Sequence, residues 1–215
     1  MGIKDTFEIK EIPNEIAKPF ILKKHYAETL PSISYCFGLH KEQDLVGVCT
    51  FGMPPNYVEN KAWKPFDLLE LNRLVSIENL PKNALSYFVS HSLKKLSSPL
   101  AVIAYADKGK GHHGYIYQAT NWVYTGLAEG TKNRPIYIMK SGQEKHRRHA
   151  KDINMDNVKE IKRTEGKHRY YYFVGNKREK RKMRKKLRFE EKPYPKGDNE
   201  KHKKNVKVNN QKSLI

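Results

Sequence analysis

Apolar residues along the chain fall into short blocks with two distinct periods. Residues 7–12 alternate well enough to predict a first strand, which Pro13 ends. Ile16, Phe20, Ile21 and Tyr26 recur at near-helical spacing, so residues 14–29 predict a helix with a risk of a break at Pro19. Residues 33–40 and 45–51 are β-rich runs joined by Lys41-Glu42-Gln43-Asp44, which reads as a hairpin. Met53-Pro54-Pro55-Asn56 opens a loop that extends to about residue 65. Residues 68–76, LLELNRLVS, predict a central strand.

Leu85, Phe88, Val89, Ser92, Leu93 and Leu96 form one stripe over residues 80–97, an amphipathic helix with Pro81 in its first turn. The run LAVIAYA at 100–106 is nearly all apolar and predicts a strand buried on both faces. Residues 113–120 predict a short helix opened by Gly111 and Gly114, and 122–127 and 135–139 predict further strands. RYYYFV at 169–174 is β-rich, and 176–187 is a basic helix. From Lys192 onward Pro, Gly, Asn and Lys dominate and cannot bury a core. A hairpin leading into a strand–helix–strand crossover implies an α/β fold, a mixed sheet flanked by helices on both faces.

Charge divides the chain. Lys+Arg 42 against Asp+Glu 23 gives +19, but residues 1–139 hold 16 basic and 13 acidic side chains while residues 140–215 hold 26 and 10. The expected organisation is a core at 1–139, a basic extension with a strand and a helix at 140–195, and a disordered basic tail at 196–215. Such asymmetry points either to a polyanionic partner, through counterion release from phosphates, or to a solvated tail. Two cysteines exclude a disulfide framework and a four-cysteine zinc site. No run is long and apolar enough for a membrane span or a signal peptide, so a cytoplasmic setting with no membrane partner is expected.

The segments Glu70-Leu71-Asn72-Arg73-Leu74-Val75, Tyr105-Ala106-Asp107 and Gly111-His112-His113-Gly114-Tyr115-Ile116-Tyr117-Gln118-Ala119-Thr120-Asn121-Trp122 resemble those of the Mom family. The closing Arg169-Tyr170-Tyr171-Tyr172-Phe173 run, the basic helix and Lys192-Pro193-Tyr194-Pro195-Lys196 are also similar to related phage chains. The resemblance covers roughly residues 7–196, and the 111–122 run is its most specific part. These are phage DNA-modification proteins with a GNAT-like acyltransferase fold. The resemblance implies conversion of the exocyclic amine of adenine in DNA to a carbamoylmethylamino group, which protects DNA from host restriction. It implies functional residues at Arg73, Ser86, Asp107 and Tyr117.

Each of these has a structural alternative. Arg73 lies in an otherwise apolar strand and needs a carboxylate or a ligand anion, so an ion pair with Glu70 or Asp107 would serve as well. Asp107 ends the buried strand, where open α/β sheets collect ligands, and could orient or deprotonate an amine or cap the next turn. Tyr117 fits a general acid for a departing thiolate, or a core tyrosine. Gln118, Asn121 and Trp122 could read or stack on a flipped base, or simply secure the helix and strand. Arg169, Lys177, Arg178, Arg181, Arg184 and Lys185 are the candidate DNA contacts. No metal site is expected, because His112, His113, His146 and His149 lack the spacing of a ligand set; iron would be a surprise.

One departure concerns the donor. GNAT enzymes place a glycine-rich loop before the main helix to hold the coenzyme A pyrophosphate. Here Ser76–Ala84 has no glycine, and Pro81 removes an amide. Lys82, Asn83 and Ala84 remain the candidate contacts. The donor is either acetyl-CoA or a glycyl donor such as glycyl-tRNA, which would make tRNA a second partner beside double-stranded DNA. Two other functions stay open: an N-acetyltransferase acting on a protein or small amine, and a catalytically dead nucleic-acid-binding scaffold.

Overall fold

The computed structural model describes residues 2–24, 30–55, 57–146 and 153–197. A short helix α1 (Ile3–Thr6) leads into β1 (Glu8–Glu11) and α2 (Asn14–Lys24). The hairpin follows as β2 (Tyr35–Lys41) and β3 (Asp44–Gly52), with Glu42 in the left-handed region at its turn. Then come α3 (Tyr57–Trp63), β4 (Asp67–Ser76), α4 (Ala84–Lys94) and β5 (Leu100–Asp107). After β5 lie α5 (Tyr115–Ala119), β6 (Val123–Leu127), β7 (Lys132–Met139), β8 (Glu144–His146), β9 (Val158–Glu165), β10 (Lys167–Val174) and α6 (Lys177–Lys185).

Seven strands form one mixed sheet in the order β1-β2-β3-β4-β5-β10-β6, and β8-β7-β9 form a second sheet. Only β4 and β5 pair in parallel, joined by the crossover through α4; the other neighbours in the large sheet are antiparallel. Helices cover both faces. Phe88, Val89 and Leu93 of α4 pack on Phe37, Phe51, Val102 and Ala104, with α5 beside them. The alternate positions of the same strands face the other way, under Ala17 and Ile21 of α2 and under Trp63 and Met183 of α3 and α6. Each fully buried aliphatic or aromatic side chain of this kind contributes about 1.5–3 kcal/mol. Among the described residues no helix is long and apolar enough to cross a membrane.

Three differences from the sequence pattern have physical causes. The helix expected from residue 80 begins at Ala84, because Asn83 is left-handed (φ 71°) and cannot continue a helical turn. The strand expected at 135–139 belongs to the second sheet, whose partner β9 has five successive exposed residues and hence no apolar alternation to reveal it. Most important, β10 lies between β5 and β6 inside the large sheet, with Tyr170 and Tyr171 fully buried. The expected division at residue 139 therefore cuts through one sheet, and residues 167–174 belong to the core.

Beyond α6 the chain wraps the free edge of the large sheet. The Lys192 amide donates to Tyr124 O (2.8 Å) and Tyr194 Oη to Trp122 O (2.6 Å), which partly pairs the exposed edge of β6. The strap reaches Gly197, whose backbone lies against the His113 ring.

Candidate active site

The parallel pairing of β4 and β5 stops at Leu71 opposite Ala104. Both strands continue past that point: β4 runs to Ser76 on β3, and β5 runs to Asp107 on β10. The large sheet is therefore open between the carboxyl ends of two neighbouring strands, the place where α/β sheets collect ligands. Arg73 flanks the opening on β4, and Tyr105 and Asp107 flank it on β5.

A register shift sits at the β4 side of this opening, where Thr50 pairs with Arg73 and the next residue, Phe51, pairs with Leu71. Asn72 is the extra residue of that bulge, and its side chain is fixed by Thr50 Oγ1 (2.6 Å) and by donation to Ser32 O (2.8 Å). Bulges of this kind re-aim the neighbouring side chain. Arg73 is half-buried, and its Nη1 donates to Asn72 O at 2.7 Å. Asp107 makes its ion pair with Lys167 (3.8 Å) and accepts from the Gly109 amide (3.1 Å), so it also caps the turn at Lys108–Lys110.

The loop into α4 lacks glycine but not its backbone geometry. Asn79 (φ 62°) and Asn83 (φ 71°) both occupy the left-handed region, which asparagine tolerates better than other non-glycine residues. Asn83 is the N-cap and makes no side-chain cap bond. Lys82 is exposed beside it, Ala84 is fully buried, and Ser86 Oγ donates to Asn83 O (3.0 Å). Lys82, Asn83, Ala84 and Ser86 thus share one helix terminus. The left-handed asparagines are the signal that a search for glycine alone misses.

At the other side, Gly114 is the N-cap of α5, where φ is +76° and a Cβ would stand 2.6 Å from the Tyr170 ring. Tyr117 stacks on Trp122 (ring centroids 5.0 Å) and on Tyr170 (5.2 Å). Tyr170 Oη donates to His113 O (2.5 Å), and Gln118 Nε2 holds His113 O (3.0 Å) and reaches Pro195 O (3.4 Å). Burial pushes the Tyr170 phenol well above its ordinary range. His168 is buried beside this group, bonded through Nδ1 to Tyr124 Oη (2.8 Å). Burial holds its imidazole below the usual value, with His113 and Lys108 adding to the depression.

Several sequence-based expectations change here. Trp122 is 1% exposed and sealed between Tyr117 and Tyr172, so it is a core residue with no face for a base. Gln118 ties α5 to the strap, and of the three base-reading candidates only Asn121 is exposed. Arg169 is also removed from the DNA-contact set. It is buried, donates to Thr125 Oγ1 (2.9 Å) and Thr125 O (3.1 Å), and is covered by the Phe189 ring at 3.3 Å. That clamp fastens the strap to the sheet. Lys177, Arg178, Arg181, Arg184 and Lys185 are exposed on α6, although Arg184 is held by both oxygens of Glu191.

Cys36 and Cys49 are free and buried; burial pushes Cys36 up to about 11 and Cys49 higher still, so neither is a thiolate nucleophile. Among the described residues no three His, Cys, Asp or Glu side chains gather as metal ligands do. His149 and the side chain of His146 lie outside the described residues.

An open mixed sheet with helices on both faces and a helix terminus beside the opening makes this an α/β protein with a GNAT-like fold. The chain belongs to the Mom protein family, whose family model matches residues 6–196. It is 28% identical over 210 residues to the methylcarbamoylase mom of Escherichia phage Mu, covering 84% of this chain and 80% of that protein. Among solved structures it is similar to an IAA acetyltransferase from Bacillus cereus (13% identity, TM-score 0.46, 79% of this chain and all of that one). A GNAT family acetyltransferase from Elizabethkingia anophelis with acetyl-CoA bound gives 10% identity and a TM-score of 0.47, over 79% and 99% of the two chains.

Proposed function

We propose that the chain is a DNA-modifying transferase that converts the exocyclic amine of adenine to a carbamoylmethylamino group. The observation that carries this reading is the opening between β4 and β5, flanked by Arg73 and Asp107, in a chain of the Mom family. Its methylcarbamoylase relative supports the same product. In this reading Asp107 orients the amine and accepts its proton, and Tyr117 returns a proton to the leaving group. Arg73 holds negative charge developing on the donor. The left-handed backbone at Asn79 and Asn83, with Lys82, supports a donor that carries phosphate.

The donor follows from an atom count. A glycyl group on the amine, NH–CO–CH2–NH2, is an isomer of the product, NH–CH2–CO–NH2. Attack of the free glycyl amine on the purine carbon through a five-membered ring expels the amide nitrogen and interconverts them without loss of atoms. Acetyl-CoA would need an added source of nitrogen. The test is nucleoside mass analysis of plasmid DNA from cells expressing the protein and fed nitrogen-15 glycine. Modified adenine with the label on the nitrogen attached to the ring is expected. Product without glycine-derived nitrogen assigns an acetyl-CoA-type donor, and absence of modified adenine overturns the proposed function.

A further inference from the structure

The second sheet takes no part in the cleft and has little core of its own. Lys159–Arg163 of β9 are all exposed, and on β7 only Met139 is buried. A three-stranded sheet normally needs one apolar face to be stable. This one is instead fastened to the turn that follows Asp107, through Lys108–Glu165 (3.3 Å) at the end of β9 and Lys110–Glu144 (3.1 Å) at the start of β8. It therefore stands beside the opening in the large sheet.

Its charges are sorted by face. Tyr137 pairs with Lys145 on one side and with Ile161 on the other, and Pro135 pairs with Arg163. Because strand side chains alternate, Lys145, Tyr137, Ile161 and Arg163 share one face, while Lys159 is the extra residue at the register shift beside Met139. Ile138 pairs with Glu144 and Glu160, and Ile136 with Lys162, so these occupy the other. Glu144 and Glu160 are both neutralised there, by Lys110 and Lys162. The first face thus presents Lys145 and Arg163 on either side of the Tyr137–Ile161 pair, and its carboxylate Glu165 is engaged by Lys108.

We propose that this face docks duplex DNA and presents the target adenine to the opening beside Asp107. The identity of the partner as DNA rests on the function proposed above; the docking surface rests on the sheet itself. Lys145 on β8 and Arg163 on β9 flank β7, two strand spacings across and two residues along, or roughly 12 Å apart. A B-DNA major groove is about 12 Å wide and admits β-strands, so the two edges meet phosphates on opposite sides of it. The A-form major groove of duplex RNA is too narrow and deep for this arrangement, which selects DNA.

The test uses the full chain with Lys145→Gln and Arg163→Gln together, two substitutions that remove charge and keep a polar side chain. Binding to a mixed-sequence DNA duplex and to bulk tRNA is measured across a salt series, after unchanged melting confirms folding. Loss of two phosphate contacts lowers duplex affinity on the order of 50-fold near 0.1 M salt and reduces the salt slope by about 1.8. Lys162→Gln, on the opposite face, stays within about twofold of wild type, being a removal of one charge that meets no phosphate. Unchanged duplex binding, an equal loss from Lys162→Gln, or a loss confined to tRNA overturns the proposal. Wild-type duplex binding lost in the double variant, in a protein that leaves plasmid adenine unmodified, sustains the docking surface and removes the chemistry.

Discussion

Asp107 has two roles that a single substitution can separate. Its carboxylate caps the following turn through the Gly109 amide and pairs with Lys167. Asp107→Asn keeps an oxygen for the cap and loses only the charge; the partly exposed ion pair is worth at most about 1 kcal/mol. Stability should change little, while modified adenine should fall by about 10²–10⁴-fold if the carboxylate accepts the proton of the amine. Arg73→Lys should likewise fold yet modify little adenine, because it keeps charge but not the planar fork. Wild-type modification by Asp107→Asn would leave it a turn cap. His168 offers a separate test of the aromatic cluster. Its folded pKa lies below the unfolded value of about 6.5, so its contribution is full above that pH and falls as pH drops toward the folded pKa. The melting temperature should decline between pH 7 and 5, and His168→Gln should flatten that decline; an unchanged slope would assign the acid sensitivity elsewhere.

The loop between β4 and α4 carries its function in backbone geometry. A β-branched residue at Asn83 must enter a left-handed conformation that costs roughly 1–2 kcal/mol, whereas glycine enters it freely. Asn83→Gly should keep stability and modification, and Asn83→Val should lose about that amount in urea unfolding together with activity. Equal behaviour of the two would dissociate the left-handed backbone from donor binding. The same loop shows how far sequence pattern reaches. The hairpin, the crossover and the buried strand at 100–107 are legible because each pairs apolar periodicity with a clear boundary. The opening between β4 and β5 and the bulge at Asn72 are not, since both arise from register between distant strands. Arg169 reads as a DNA contact because its charge is visible in sequence and its Phe189 cover, 20 residues away, is not. Of the second sheet only β7 is legible, as the strand at 135–139; β9 has five successive exposed residues, so no alternation marks it.

At the scale of the molecule, the basic third of the chain is not one appendage. Part of it completes the large sheet, part lies on α6, part forms the second sheet, and residues 198–215 carry five lysines against two carboxylates. Removing everything from residue 140 withdraws β10 from between β5 and β6 and with it Tyr170 and Tyr171, both fully buried. Losing two such aromatics costs about 3–5 kcal/mol each, comparable to the whole stability of a domain. That truncation should not fold, so a loss of DNA binding on making it would say nothing about electrostatics. A cut after Gly197 keeps the Arg169–Phe189 clamp and the strap along β6, and takes away only a net +3 of the total +19. It should melt like the full chain and reduce the salt slope for duplex DNA by at most about 4.5, the value if every one of its five lysines met a phosphate. If the second sheet and α6 hold the duplex, the measured reduction should be far smaller and most of the affinity should persist. Near-complete loss of binding in a normally folded 197-residue chain would move the grip from the folded surfaces to the last 18 residues.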